Sequence, residues 1–203
     1  MRLSRSFSIL CWRPFLLEER PLLRIAITPD KPADELLPSL FQIENDIDGV
    51  ILRLEWTEDQ LYSLIHDLLN TGFNPDKLII HSHVGLLRHF NLTHIHFRQG
   101  DGAAYQLKAA QPHLSISMAV HSAEACAEAR QHQLDYGLYS HLFPTPSKPG
   151  LAPKSDEEMN AALAVGLPLI ALGGITHETL PLIPQGFIGY AGIRLFENSN
   201  VQE

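Results

Sequence analysis

Short runs of branched apolar residues recur along the chain from residue 22, separated by stretches whose apolar positions fall three and four apart. The runs Leu22–Thr28, Gly49–Leu54, Lys77–Ser82, His94–Phe97, Ser115–Val120, Tyr136–Ser140, Pro168–Leu172 and Gly189–Ile193 predict eight strands. Between them the period changes. Over Thr57–Asn70 the residues Leu61, Leu64, Ile65, Leu68 and Leu69 share one helical face. Ser122 stands where it can cap a helix over Ala123–His132, and Ser155 does the same for Asp156–Val165. Acidic residues in the first turn of that last helix favour its dipole, and Gly166 and Pro168 stop it.

Strands alternating with helices imply parallel strands joined by crossovers. Eight such units predict a closed α/β barrel, the single-domain (β/α)8 TIM barrel. A doubly wound open sheet is the other arrangement, since periodicity alone does not reveal closure. For a barrel the chain is short, so some helices must be short. The link Asn91–Leu92–Thr93 before His94 leaves little room.

With 203 residues, the chain suits one domain with one core. At 45% hydrophobic and 19% charged it reads as globular. The net charge of −8 offers nothing to nucleic acid or an anionic membrane surface. A local phosphate pocket remains compatible with that charge, because a few N–H groups and one Lys suffice. No stretch is long enough to span a bilayer. Cys11 and Cys126 fit no zinc or redox spacing and read as free thiols of a reducing, cytoplasmic compartment. Residues 1–20 contain a short apolar run broken by Trp12, Arg13 and Pro14, with no small-residue cleavage site after it. They read as an extension ahead of a domain over 21–203. A homo-oligomer is compatible with all of this.

In a barrel of this kind the chemistry gathers at the strand C-termini and the loops after them. Those positions supply Arg53 and Glu55, then His81, Ser82 and His83, then Gln99 and Asp101, then His121. The run Ser140-His141-Leu142-Phe143-Pro144-Thr145-Pro146-Ser147-Lys148-Pro149-Gly150 follows, and Gly173, Gly174 and Arg194 complete the set. Gly173-Gly174 ends a buried strand and is read as opening a helix-like segment, where backbone N–H groups can meet a phosphate. Thr145, Ser147 and Lys148 add hydroxyls and a cation. As a plain turn, Gly-Gly needs no ligand. His141 stands just past the sixth strand, and a neutral imidazole can both take and give a proton; a structural or solvent-facing histidine is the alternative. His81 and His83 lie at i, i+2, on one face if the strand continues through both. That suggests a metal, but no third ligand has clear spacing, so polar pocket or surface residues are the alternative. His121 has a turn-orienting alternative, and Asp101 reads as a metal ligand or a plain loop acid.

The motifs VHSAEACAEA, HLFPTPSKPG and LIALGGI, in that order, resemble the thiamine phosphate synthase/TenI family. IDGVILR at 47–53 and LIIHSHVGLLRHFNLTHIHFRQGD at 78–101 extend the likeness to residues 22–196, more strongly after 115. The resemblance implies a barrel, a role in thiamine biosynthesis or salvage, and a small-molecule thiazole phosphate as ligand.

Family synthases join a pyrimidine diphosphate to a thiazole phosphate with Mg2+ on the leaving pyrophosphate. Of their Gln-Leu-Arg-Glu-Lys signature this chain keeps Arg53 and has Leu54 and Glu55 where the family has Glu and Lys. The family's Asn-Asp after the third strand is His81-Ser82, and the Ser before the Val-His-Ser turn is Ala119. Asp101 is the remaining metal acid if Mg2+ is used. Thr145, Ser147, Lys148 and Gly174 resemble the thiazole phosphate side. TenI-type thiazole tautomerases have a His at the position of His141. The resemblance therefore implies a metal-free thiazole tautomerase with His141 as its acid/base. The alternatives are an active thiamine phosphate synthase and a non-catalytic binder of thiazole or thiamine phosphates.

Overall fold

The computed structural model describes residues 21–194. Residues 1–20, with Cys11, and residues 195–203 lie outside the described residues. Eight strands run in order: β1 (Leu23–Ile27), β2 (Gly49–Leu52), β3 (Leu78–His81), β4 (His94–Phe97), β5 (Ser115–Val120), β6 (Tyr136–Ser140), β7 (Leu169–Leu172) and β8 (Gly189–Gly192). Each pairs in parallel with the next, and β8 pairs with β1 through Ile25 and Ala191, which closes the barrel. The open-sheet alternative is thereby excluded.

Six helices cover the strands among the described residues: α1 (Ala33–Ile43), α2 (Glu58–Thr71), α3 (Val84–His89), α4 (Gly102–Ala110), α5 (Ala123–Gln131) and α6 (Asp156–Ala164). Their ends follow from local chemistry. Thr57 and Gln60 form a reciprocal capping box on α2, whose C-terminus closes on Gly72 in the left-handed region (φ 99°). Ser155 and Glu158 repeat the box on α6, and the Ser122 hydroxyl accepts from Ala125 N on α5. The short link before β4 is met by making α3 only six residues long.

One expectation fails here. Gly173-Gly174 opens no helix. The connection from β7 to β8 holds only a 3₁₀ turn, Leu180–Leu182. Thr176 and Thr179 instead brace each other: Thr176 N donates to Thr179 Oγ1 at 2.8 Å, and the Thr179 hydroxyl donates to Gly174 O at 2.9 Å. These local side-chain bonds offer the backbone a turn in place of the helix ladder.

Two cores result. Outward-facing strand residues such as Val50, Ile80, Ile95, Ile116 and Tyr139 pack under the helices. Inside the barrel, Ile25, Ile27, Ile51, Ile79, Leu138 and Ile170 form a separate aliphatic plug. That plug is incomplete on the β4–β5 side. There the inward positions are His94 and His96 on β4 and Ser115 and Ser117 on β5, alternating with the outward apolar residues. At the barrel base, Asp135 accepts from Ile116 N and Lys108 Nζ, each at 2.7 Å. Lys108 also donates to Leu114 O, so this buried pair is hydrogen-bonded throughout.

Candidate active site

The strand C-termini open on a cavity of about 660 Å³. Inward alternation carries side chains into it: Ile51 is followed two residues on by Arg53, Ile79 by His81, His96 by Arg98, and Ala119 by His121. Of the residues singled out in the sequence, Arg53, His81, Gln99, His121, His141, Thr145, Ser147, Lys148, Gly173, Gly174 and Arg194 line this one cavity. A wider groove between α1 and α2, lined by Asp30, Trp56 and Asp67, lies away from these residues.

Glu55, Ser82, His83 and Asp101 lie outside the cavity. Ser82 takes a left-handed backbone (φ 64°) directly after β3, which breaks the strand alternation. His83 is thus not on the face of His81; it begins α3 instead. Asp101 is the N-cap of α4, its Oδ1 accepting from Ala103 N at 3.0 Å. Its carboxylate serves the helix. Among the described residues no Asp or Glu lines the cavity, and no group of three or more metal-ligating side chains occurs. The donor set does not fit the Mg2+ of a synthase, which needs carboxylate oxygens.

His141 is buried, at 5% exposure. Its Nε2 lies 3.4 Å from Leu151 O, so the N–H at that position faces a carbonyl. The loop after β6 continues the ladder with β7: Leu142 N donates to Leu172 O and Phe143 N to Gly173 O. The glycine pair makes this approach possible. A Cβ on Gly174 would stand 2.6 Å from both Phe143 O and Pro144 O, and both glycines have positive φ. The loop then turns at Thr145, with Lys148 N donating to Thr145 O and Ser147 N to Thr145 Oγ1. This brings the cation and hydroxyls of the loop to the side of the mouth that holds Gly173 and Gly174.

His121 bridges β5 and β6. Its Nδ1 is 3.1 Å from both the carbonyl oxygen and the hydroxyl of Ser140. A carbonyl only accepts, so Nδ1 carries the proton and Nε2 keeps a lone pair. Burial lowers its pKa, and the Ser140 carbonyl partly opposes that shift; Lys148 and Lys154 lower it further.

His96 and Arg98 were missed in the sequence. His96 pairs in register with His81, their rings 5.9 Å apart, and its Nδ1 meets the Ser117 hydroxyl at 2.8 Å. Burial, then Arg53 and Arg98, hold His81 down at about 4. Burial, then His81 and Arg53, hold His96 at about 3. Both are neutral imidazoles at pH 7. The mouth is therefore a set of histidines and cations, with His81 and His96 held neutral, phosphate-compatible donors on the β6–β7 side and two arginines on the β2–β4 side.

The comparisons with known proteins agree with this architecture. Residues 29–195 match a family model described as thiamine monophosphate synthase (TMP-TENI). A thiamine-phosphate synthase of Chlorobium luteolum is 39% identical over 105 residues, 49% of this chain and 49% of that protein. The match thus spans about half the length of that relative. A thiamine phosphate pyrophosphorylase from Pyrococcus furiosus is similar in fold, with a TM-score of 0.68 over 89% of this chain and 90% of that one, at 19% identity. One from Bacteroides thetaiotaomicron gives a TM-score of 0.55 at 25% identity, over 86% and 84%.

Proposed function

The chain belongs to the thiamine monophosphate synthase (TMP-TENI) family, and from that premise we propose that it is a thiamine-biosynthesis enzyme isomerising a thiazole carboxylate phosphate at the barrel mouth. One observation carries the choice of isomerase: the cavity that contains His141, a phosphate-compatible loop and three further histidines has no acid in its lining among the described residues. Proton transfer needs an imidazole and a held substrate. Pyrophosphate displacement needs its leaving charge neutralised, in this family by a metal held on carboxylates.

In this reading Thr145, Ser147 and Lys148, with the backbone at Gly173 and Gly174, hold the phosphate, and Arg194 adds charge at the rim. His141 takes a proton from a ring carbon. The C–H electron pair moves into the ring and shifts the double bonds. The same proton, or one exchanged from water, is then delivered to the exocyclic carbon, where a new C–H bond forms. Atoms and charge balance, and the product is an aromatic isomer. His121, its Nδ1 held by the Ser140 carbonyl, lies in the same cavity as His141 and presents an Nε2 lone pair.

The second reading, thiamine-phosphate synthase, has the relatives in its favour, which are thiamine-phosphate synthases and a thiamine phosphate pyrophosphorylase rather than isomerases. Both are tested on one preparation. The thiazole carboxylate phosphate is incubated in D2O and deuterium on the exocyclic carbon is followed by NMR. In parallel, thiazole phosphate, pyrimidine diphosphate and Mg2+ are assayed for thiamine phosphate. Deuterium uptake without thiamine phosphate supports the isomerase. Thiamine phosphate formation assigns the synthase. Phosphate-ligand binding with neither activity assigns a non-catalytic binder.

A further inference from the structure

β3 lies four strands from β7 in the closed eight-stranded order, so the side of the mouth formed by β2, β3 and β4 faces the phosphate loop across the cavity. Three adjacent strands end there on Arg53, His81 and Arg98, all lining the cavity. Both arginines are exposed, and neither forms an ion pair among the described residues. His81 between them is 9% exposed. Its imidazole is neutral at pH 7, so the subsite carries two positive charges and one uncharged ring able to donate an N–H.

Two forked guanidiniums flanking a neutral donor fit a planar monoanion. A carboxylate accepts bidentate bonds from such forks. A pyrophosphate carries more charge than the pair can neutralise, and no acid in the cavity lining holds a bridging cation for it. The phosphate loop stands on the opposite side of the same cavity of about 660 Å³. We infer that Arg98, with Arg53 and His81, forms a carboxylate subsite, and that the enzyme selects a ring with phosphate at one end and carboxylate at the other. The inference rests on the thiazole phosphate reading above. Arg98 is its specificity-determining residue.

The test is calorimetric binding of two probes to the full chain: a thiazole phosphate and the same thiazole phosphate bearing a ring carboxylate. Wild type is expected to bind the carboxylated probe about tenfold or more tightly, the scale of one charge-assisted contact. Arg98→Ala removes most of that preference and leaves the dissociation constant of the uncarboxylated probe unchanged. Arg98→Lys restores part of it, since an ammonium supplies charge without the fork. A wild type without preference, or an Arg98→Ala variant that keeps it or weakens both probes equally, overturns the subsite. So does an Arg98→Ala variant that loses Mg2+-dependent pyrophosphate binding while keeping the carboxylate preference; that result assigns the arginines to pyrophosphate. Turnover in D2O is measured in parallel and separates the two ideas. Preference without turnover removes the isomerase and retains the subsite, whereas turnover with an unaltered preference in Arg98→Ala does the reverse.

Discussion

A Cβ added to Gly173 would lie 2.3 Å from the Cβ of His141 and 2.8 Å from its Cα. The end of β7 and the proposed catalytic residue are thus in direct backbone-level contact, and the glycine is what permits it. Gly173→Ala must either displace His141 or shift β7, and it must also hold a side chain at φ 97°. Overpacking of this kind costs about 1–3 kcal/mol, and the left-handed backbone about 1–2 kcal/mol more. Gly72 is the control. Its φ is 99° with nothing within 4 Å of a Cβ, so Gly72→Ala bears the backbone cost alone. Urea midpoints are expected to fall further for Gly173→Ala than for Gly72→Ala, with isomerase activity lost only in the former. Equal midpoints and equal activities would remove the role assigned to this contact.

His81 and His96 make the fold sensitive to acid. Their pKa values fall from 6.5 to about 4 and about 3, with burial the largest cause in each. A histidine with a depressed folded pKa leaves the unfolded state binding more protons. Stability is therefore full above 6.5 and declines as pH falls, until about 4 for His81 and about 3 for His96. At about 1.4 kcal/mol per pKa unit, the shifts set upper bounds of about 5 kcal/mol for His96 and about 3 kcal/mol for His81, the latter reduced by solvent screening at the open mouth. In the interval from pH 6.5 to 5 ordinary carboxylates are still ionised, and His94 and His121, also lowered by burial, act in the same direction. Chemical denaturation at several pH values is expected to show unfolding free energy falling with acid in that interval, with a shallower slope in His96→Gln. A flat profile between 6.5 and 5 would contradict the neutral-histidine account.

Much of this was legible in the sequence. All eight strands were placed within one or two residues, because each is a short branched run bounded by turn or cap residues. Thr57, Ser122 and Ser155 marked helix starts because a hydroxyl before an amphipathic stretch has an N–H to bind. The polar face of β4 and β5 was the hard part. His94, His96, Ser115 and Ser117 alternate with apolar residues, which in an open or half-buried strand puts the polar face toward solvent. Closure turns that face into the barrel, and pattern alone does not contain closure. The same step hid Arg98, two residues past His96. The surface alternative for His83 and the non-metal alternative for Asp101 are the ones that fit, because of the left-handed turn at Ser82 and the helix cap on α4. A helix after Gly174 was expected from the glycines, and the Thr176–Thr179 bracing prevented it.

Lys148 is expected to hold phosphate. It lines the cavity in the turn fixed by Thr145. A charge-assisted hydrogen bond is worth about 1.5–3 kcal/mol, so Lys148→Ala should weaken binding of thiazole phosphate by roughly ten- to a hundredfold. Dephosphorylated thiazole should bind both proteins alike. An unchanged dissociation constant for the phosphate would place the anion elsewhere in the mouth.

Mg2+ should matter little. Asp101 is engaged as a helix cap, and an Asn can cap in its place. Asp101→Asn is expected to keep both stability and isomerase turnover. Calorimetry with Mg2+ and pyrophosphate is expected to show no mutually dependent binding. Tight, interdependent binding lost in Asp101→Asn would instead support the synthase.

The proposed acid/base is the most direct test of the chemistry. His141 sits behind the phosphate loop, buried, with Nε2 facing Leu151 O. If that N–H is donated to the carbonyl, the other ring nitrogen holds the lone pair that accepts the substrate proton. An Asn in its place retains a polar side chain of similar reach and cannot shuttle a proton. Positioned acid/base catalysis contributes about 10²–10⁴-fold, so His141→Asn should lower the rate of deuterium uptake on that scale. Thiazole phosphate affinity should stay nearly unchanged, because the loop, not the imidazole, holds the anion. His121→Asn supplies the contrast. It disturbs the bridge to Ser140 without removing the shuttle, so its loss should be smaller. A His141→Asn variant that turns over like wild type, or a His121→Asn variant that loses more than it, would move the proton chemistry away from His141.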